Sequence, residues 1–274
     1  GLYSRATGFV SLIEQTLTDA IKPILLPYFS KENREGRDIS KVFFKIANYY
    51  LAVALPLLGL IALIAYPMVR LLYGSQWDAA IPIAQILCLG MAFKSLNFLL
   101  GSVVLSMGYA GRLLTAQLLY QGLRITAIIY GAQHSLLQIA TSLVIVEFFG
   151  FFIFYSKTKD INIQLTDLIF LLLKNTFFFL VVLIAPLITY FTLINFENLK
   201  NSNIIDITTN LTLNYQQYIF IPKNKSELEN LNFILLPSIS ALISWLIAII
   251  ILQKDLWNEL MDILPKKKLN LIEK

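Results

Sequence analysis

Long apolar stretches separated by short polar connections run along almost the whole chain. A helix that crosses the hydrocarbon core of a bilayer needs about 20 mostly apolar residues. Seven segments fit that length and predict transmembrane helices at residues 6–27, 43–65, 79–107, 113–132, 136–155, 168–194 and 231–252. The first is marginal by hydropathy, because it contains Glu14, Asp19 and Lys22. The pattern predicts an all-α, polytopic membrane helical bundle over residues 1–255.

Basic residues concentrate in every second connection, and this indicates which side of the membrane each connection faces. Short cytoplasmic loops are enriched in Lys and Arg. The enriched connections contain Lys31, Arg34, Arg37 and Lys41, then Arg112, then Lys157 and Lys159, and finally Lys254, Lys266, Lys267, Lys268 and Lys274. These connections share one side only if the first segment crosses the membrane. We therefore expect the amino end outside, a long outside loop at residues 196–230, and residues 256–274 inside as a basic cytoplasmic tail.

Composition strengthens this assignment to the membrane. Hydrophobic residues make up 57% of the chain and charged residues 14%, and the mean hydropathy is +0.68. A soluble protein of this size would need more polar surface to cover its core, so the bilayer is the expected solvent. The net charge of +5 raises the alternative of a nucleic-acid partner, but there is no basic stripe on a soluble domain to support it. The lysines at 266–268 are instead expected to meet anionic lipid headgroups.

Cysteine and histidine are too scarce for several kinds of chemistry. Cys88 is the only cysteine and lies within a predicted span, and His134 is the only histidine and lies in a short turn. A zinc site, or a nucleophile paired with a histidine, needs more of these residues. The chain also lacks a glycine-rich phosphate loop of the Walker type, and its acidic loop residues are scattered. The sequence predicts no metal, no cofactor and no enzyme activity.

Ionisable residues inside the predicted spans point to a cavity. Each costs about 2.5–3.5 kcal/mol on insertion scales, and such residues usually face a bundle interior or water. At about 100° per residue, the polar residues of the first span fall within an arc of about 140°: Ser11, Glu14, Gln15, Thr18, Asp19 and Lys22. That face is expected to line an aqueous cavity. The alternative is a helix lying flat in the membrane interface, which the alternation of basic loops disfavours.

The third span repeats this pattern more weakly. Lys94 and Asn97 share a face with Gly90 and Gly101. The small residues fit a close helix-packing seam equally well. Lys94 lies near the middle of the span, too deep to reach the surface easily, so we expect it to face a cavity or an acidic partner.

Later spans add further candidates. Gln121 and Arg124 share a face of the fourth span, and Glu147 lies in the fifth at a similar depth to Arg124. A buried structural ion pair between Arg124 and Glu147 explains both residues as well as a transport role does. Lys174, about two turns inside the sixth span, is expected to extend its ammonium group to the inner surface. Charges buried in spans, without a catalytic cluster in the loops, are typical of a transporter.

Three sequence stretches resemble a known family. They are the opening GLYSRA with the helix that ends in PILLPYFS, the stretch ALPLLGLIALIAYPMVRLLYGSQWDAA, and SMGYAGR. The matching positions are Gly1, Tyr3, Ser4, Arg5, Ala6, Pro27, Ser30, Pro56, Pro67, Gly74, Trp77, Ala80, Gly108, Gly111 and Arg112. Together they resemble the second half of an oligosaccharide flippase of the polysaccharide-export family. This family belongs to the multidrug/oligosaccharidyl-lipid/polysaccharide (MOP) exporter superfamily, which also contains MATE drug exporters.

The resemblance implies a fold and a function. The chain would be the carboxy-terminal lobe of a two-lobe transporter, with an amino-terminal lobe as its missing partner and the cavity between them. The substrate would be a polyprenyl-pyrophosphate-linked oligosaccharide, moved across the inner (cytoplasmic) membrane for surface polysaccharide synthesis, with a polysaccharide polymerase or assembly machinery as a further partner. The expected substrate-binding residues are Lys22, Lys94, Asn97, Gln121 and Arg124. The expected coupling-ion residues are Glu14, Asp19 and Glu147.

Three alternatives stay open at this point. The first is a MATE-like antiporter for drugs or small molecules from the same superfamily. The second is an enzyme, a membrane polysaccharide polymerase or glycosyltransferase whose chemistry takes place in the outside loop at residues 196–230. The third is a remnant that does not transport.

Overall fold

The computed structural model describes residues 1–201, 227–253 and 256–258, and these residues form helices and short connections without strands. The helices are α1 (Leu2–Arg34), α2 (Ile39–Leu63), α3 (Ala65–Tyr73), α4 (Ile81–Ser106), α5 (Ala110–Ala132), α6 (Leu136–Tyr155), α7 (Leu165–Asn201) and α8 (Glu227–Leu252). Short 3-10 turns at Ser75–Ala80 and Lys159–Ile161 precede α4 and α7.

Five helical stretches are long and apolar enough to cross a membrane: Ile39–Leu63, Ser75–Ser106, Leu136–Tyr155, Leu165–Ile194 and Leu231–Leu252. The protein is therefore a polytopic all-α membrane protein, and the predicted fold class is confirmed. Helices α1 and α5 have the required length but are too polar to meet the same criterion. That these two also cross the membrane stays a prediction.

Helix boundaries differ from the predictions in several places, and α1 for example continues to Arg34, beyond the predicted end at residue 27. The predicted span at 43–65 is interrupted at Ile64, between α2 and α3. Pro67 has no N–H to donate to the carbonyl of Leu63, so the helical hydrogen bonding is broken there. Pro56, in contrast, lies inside α2 without ending it.

The expected outside loop at 196–230 lies between two candidate spans, which end at Ile194 and begin at Leu231, but both of its ends are helical. Helix α7 continues to Asn201 and α8 already begins at Glu227. Apolar composition decides which residues can lie in lipid, whereas backbone hydrogen bonds decide where a helix ends. The rest of this loop, and the basic tail beyond residue 258, lie outside the described residues.

Helix α4 lies at the centre of the bundle. It packs against α1, α2 and α6, while α5 packs mainly on α6 and the α7–α8 hairpin packs on α2. The main apolar core fills the space between α1, α2 and α4, with Phe29, Phe43, Leu51, Leu96 and Leu99 buried. The outer helices expose many large apolar side chains, as expected where lipid takes the place of water.

Three basic connections lie at the same end of the bundle. Ser30 at the end of α1 donates a hydrogen bond to the carbonyl of Ser106 at the end of α4. Arg112 at the start of α5 forms an ion pair with Asp160, which precedes α7. Ser40, at the start of α2, donates to the carbonyl of Asn162. These contacts bring together the connections that the charge pattern assigns to one side of the membrane.

Candidate functional site

A cavity of about 470 Å³ lies between α1, α4, α5 and α6. α1 packs on α4 and α5 packs on α6, so α1 and α5 form the two sides of the cavity. Its polar lining consists of Glu14, Thr18, Lys22, Tyr50, Lys94, Ser95, Asn97, Ser102, Gln117, Tyr120, Gln121, Arg124 and Glu147. A concentration of polar and charged groups among otherwise apolar helices is the feature that marks a functional site in a membrane protein.

Seven of the eight candidate residues predicted from the sequence line this cavity: Glu14, Lys22, Lys94, Asn97, Gln121, Arg124 and Glu147. Asp19 is the exception. It is exposed and lies outside the cavity wall, because the lining face of α1 runs through Glu14, Leu17, Thr18 and Lys22. The predicted polar arc of α1 is thus wider than the face that the cavity uses.

Lys94 meets an acidic partner at the wall of the cavity. Its Nζ lies 2.5 Å from Oε1 of Glu14, and the two side chains are 30% and 26% exposed. The pair joins α4 to α1 and is partly desolvated. Because both groups also line the cavity, a ligand that enters it can compete for either charge.

Glu147 lies deeper and connects three helices. It is 6% exposed, and the hydroxyl of Tyr120 on α5 donates to its Oε1 at 2.5 Å. Asn97 on α4 donates from Nδ2 to the backbone oxygen of Glu147 at 3.0 Å and to its Oε2 at 3.4 Å. The Oδ1 atom of Asn97 is buried without a hydrogen-bond partner. This arrangement holds a carboxyl group at the base of the cavity and leaves one amide acceptor beside it.

Arg124 lines the cavity but does not pair with Glu147. Among the ion pairs of residues 1–201, 227–253 and 256–258, none includes Arg124 or Lys22. The structural ion pair considered from the sequence is therefore not formed. Three cations face the cavity, Lys22, Lys94 and Arg124, against two carboxyl groups, Glu14 and Glu147. The arrangement favours an anionic ligand.

Tyr120 is a site residue that sequence reasoning missed, as it missed Tyr50, Ser95 and Ser102 in the same lining. It occurs at position i+3 from Gln117 and i−4 from Arg124, on the same face of α5. Helical periodicity could have found it, although a tyrosine in a span is usually read as a residue of the membrane interface.

The polar lining of the cavity consists of carboxyl, cationic, amide and hydroxyl groups. Its lining contains neither cysteine nor histidine, and no group of three or more metal-ligating side chains occurs in the part of the chain that the structure describes. These lining side chains can bind and release an ion or a polar molecule.

Comparison with known proteins assigns the first part of the chain. Residues 1–82, which comprise α1, α2, α3 and the turn that follows, match the model of a family described as polysaccharide biosynthesis protein. The resemblance to polysaccharide-export proteins is confirmed over this stretch, and it links the protein to polysaccharide biosynthesis. The match does not bear out the expectation that the chain is a carboxy-terminal half. No curated protein matches the chain.

Proposed function

We propose that this protein carries lipid-linked oligosaccharide across the cytoplasmic membrane, with α1, α4, α5 and α6 lining the path of the polar headgroup. The observation that carries the proposal is the cation-rich cavity held among apolar helices. Sugars and a pyrophosphate cannot cross hydrocarbon unaided, so a carrier must offer them polar contacts near the middle of the membrane. The match to polysaccharide biosynthesis proteins supports this class of substrate.

The cations have separate roles in this proposal. Arg124 and Lys22 have no acidic partner among the described residues and bind the pyrophosphate first. A guanidinium group suits this task because its planar array of donors matches phosphate oxygens. Lys94 exchanges its contact with Glu14 for one with the substrate. Asn97 and Gln121 provide amide groups for sugar hydroxyls.

Glu14 is the proposed coupling site. Once the substrate draws Lys94 away, the Glu14 carboxylate loses its counter-charge in a partly desolvated position and can bind a coupling cation in place of the lysine. Binding of the coupling ion and binding of the substrate are then linked through one lysine. Glu147, already satisfied by Tyr120 and Asn97, is a second candidate.

A second wall is needed to complete the pathway. Lys22, Gln117 and Gln121 are exposed although they line the cavity. Such groups are costly against lipid. We propose that a partner lobe covers the open side between α1 and α5 and that rocking of the two lobes gives alternating access.

The test is export by cells whose transporter carries Lys94→Gln or Arg124→Gln. We expect either change to reduce surface polysaccharide by at least about tenfold, which corresponds to about 1.4 kcal/mol. Lipid-linked oligosaccharide should accumulate on the cytoplasmic leaflet. Lys41→Gln is the matched control, because Lys41 is 86% exposed and lies outside the cavity. Unchanged export at normal protein levels would remove the substituted residue from the pathway.

The same experiment separates the alternatives. A polymerase defect would leave single repeat units on the outer leaflet, whereas a drug antiporter would change drug susceptibility without affecting polysaccharide. The part of the expected loop at 202–226 that an enzyme would need lies outside the described residues.

A further inference from the structure

Two of the stretches that carry the family resemblance meet at the start of α1. Arg5 lies in the first turns of this helix. Its guanidinium carbon lies 5.3 Å from the ring centres of both Tyr73, at the end of α3, and Trp77, in the turn before α4. We call these three residues the arginine–aromatic cluster. None of them lines the cavity between α1, α4, α5 and α6, so the cluster is a separate feature of the molecule.

The arginine–aromatic cluster lies at the end of the bundle opposite the basic connections. Helices α1 and α4 both begin near it, and both end on the other side, where Ser30 donates to the carbonyl of Ser106. The charge pattern assigns the end that contains the cluster to the outside. Tyr and Trp are common at a membrane interface, whereas Arg is less frequent in short outer connections than in cytoplasmic ones. An arginine in this place needs an anion to balance its charge.

The protein provides no carboxylate for Arg5. Its side chain is exposed, and none of the ion pairs within residues 1–201, 227–253 and 256–258 includes it. Asp78 follows Trp77 in the chain, but its carboxylate accepts hydrogen bonds from Arg70 at 2.9 and 2.6 Å. An aromatic ring offers no acceptor oxygen, so the rings of the cluster leave the five N–H donors of Arg5 available to a ligand.

An open apolar surface continues from Arg5 toward the middle of the membrane. Gly8 and Leu12 follow at i+3 and i+7, on the same side of α1. No atom lies within 4 Å of a Cβ atom added to Gly8, and Leu12 is 59% exposed. Leu12 lies about 10 Å deeper than Arg5, at 1.5 Å per residue. A cation followed by an accessible apolar strip matches the headgroup and the first part of the acyl chain of a lipid.

The core beneath the cluster holds it in place. Ala6 and Val10 on the adjoining face of α1 are buried in one apolar group with Val69 of α3, and Tyr73 and Trp77 pack against this group. The two rings are therefore fixed, and a guanidinium group stacked on them has little freedom. A cation that is already restrained loses less conformational entropy when it binds an anion.

We propose that the arginine–aromatic cluster binds the phosphate of an anionic glycerophospholipid in the outer leaflet. Arg5 donates to the phosphate oxygens, which its planar array of donors matches, and the indole N–H of Trp77 is a further donor. The beginning of an acyl chain lies along Gly8 and Leu12. An anionic headgroup is favoured over a zwitterionic one, because the ammonium group of a zwitterionic lipid competes with Arg5 for the phosphate. This inference does not depend on the proposed function.

The test is quenching of Trp77 fluorescence by brominated lipid in vesicles that contain the full chain. The chain has three tryptophans, so Trp245→Phe and Trp257→Phe confine the signal to the cluster. Either phosphatidylglycerol or phosphatidylcholine, brominated near the headgroup end of its acyl chains, is mixed into dioleoyl-phosphatidylcholine. We expect phosphatidylglycerol to occupy the site at least about fivefold more strongly, which is equivalent to roughly 1 kcal/mol.

Substitutions of Arg5 show whether this preference comes from the cluster. Arg5→Gln should abolish it, and Arg5→Lys should keep part of it, because the charge remains. Arg34→Gln is the matched control and should leave the preference unchanged, since Arg34 is an exposed arginine at the opposite end of the same helix. Millimolar inorganic phosphate should not displace the lipid, because it has no acyl chain to contact Gly8 and Leu12.

Three results would overturn the proposal. The first is equal quenching by the two brominated lipids when Arg5 is present, and the second is an Arg5→Gln chain that keeps the preference. The third is recovery of Trp77 fluorescence on addition of inorganic phosphate, which would mean that the site binds a soluble anion. Circular dichroism shows whether each variant is folded. If Arg5→Gln does not fold, the comparison of the two lipids on the chains with Arg5 and with Arg5→Lys decides the question.

Discussion

Glu147 is the residue at which α4, α5 and α6 meet beside the cavity. Its carboxyl oxygens accept hydrogen bonds from Tyr120 on α5 and Asn97 on α4, and its backbone oxygen accepts another from Asn97. A buried polar group is stable only when its partners are present, and losing one costs more than the bond contributed. The base of the cavity therefore depends on side chains from three helices at once.

Replacement of Tyr120 by Phe tests this dependence. The change removes one donor and leaves an oxygen of Glu147 buried without it, so we expect a loss of about 1–3 kcal/mol in the free energy of unfolding. Thermal and denaturant unfolding in detergent, followed by circular dichroism, measures the loss. Tyr130→Phe is the matched control, because Tyr130 lies on the same helix and is 56% exposed. Equal stability of the two variants would contradict this role.

The pair formed by Lys94 and Glu14 contributes less to stability, because both side chains are partly exposed. A double-mutant cycle of Lys94→Gln and Glu14→Gln should give a coupling energy of about 0.5–1 kcal/mol. Each single change should also destabilise the protein by more than this coupling energy, because it leaves the remaining charge without its counter-charge. Denaturant unfolding of the four chains supplies the numbers. Strictly additive changes would mean that the pair is not formed.

For single residues, the sequence predicted the helix face and the depth in the membrane, but not which other residues they contact. The depth of Lys94 indicated an acidic partner or a cavity, and the structure places it at both. That Glu14 is the partner depends on α1 packing against α4, which helical periodicity does not report. Arg124 and Glu147 do lie in neighbouring helices, but Tyr120, one turn before Arg124, forms the hydrogen bond to the carboxyl group instead.

Close packing of α6 against its neighbours positions this cluster. A Cβ atom added to Gly150 would lie 2.9 Å from Nδ2 of Asn97 and 3.1 Å from the ring of Tyr120. Real Cβ contacts are rarely so short, so only glycine lets α6 approach α4 and α5 at this level. Glycine at position 150 is thus required for the hydrogen bonds of Glu147, which lies one turn earlier on α6.

Gly150→Ala is accordingly expected to destabilise the protein by about 1–3 kcal/mol, the usual range for overpacking. Gly122→Ala provides the control, since no atom lies within 4 Å of a Cβ added there and alanine is the better helix former. Unfolding in detergent should show that Gly122→Ala is at least as stable as the wild type and that Gly150→Ala is less stable. The reverse order would contradict the packing described for α6.

Helices were predictable where apolar composition coincides with helical hydrogen bonding. The predicted span at 136–155 coincides with α6 (Leu136–Tyr155) for this reason. The break at Ile64 and the extension of α7 to Asn201 were not predicted, because hydropathy does not report where a backbone N–H is missing or where a polar segment continues a helix.

The whole molecule combines apolar helices with two polar-faced helices, α1 and α5, on either side of a cavity. These are the two long helices of the described residues that are too polar to meet the criterion for a membrane span. Their polarity has a physical reason, because Glu14, Lys22, Gln121 and Arg124 line the cavity. The alternation of basic connections indicated that α1 crosses the membrane, and the structure brings three of those connections to one end of the bundle.

The most direct test of this account is whether water and anions reach the cavity in the membrane. In a Cys88→Ala background, Gln121→Cys on the cavity face of α5 is compared with Leu118→Cys, whose position is 65% exposed on the outer face. Vesicles that contain each variant are treated with anionic and cationic methanethiosulfonate reagents. The account predicts reaction at position 121, faster with the anionic reagent, and none at 118. It also predicts that Arg124→Gln reduces the preference for the anion. An unreactive thiol at 121, or a preference for the cationic reagent, would contradict it.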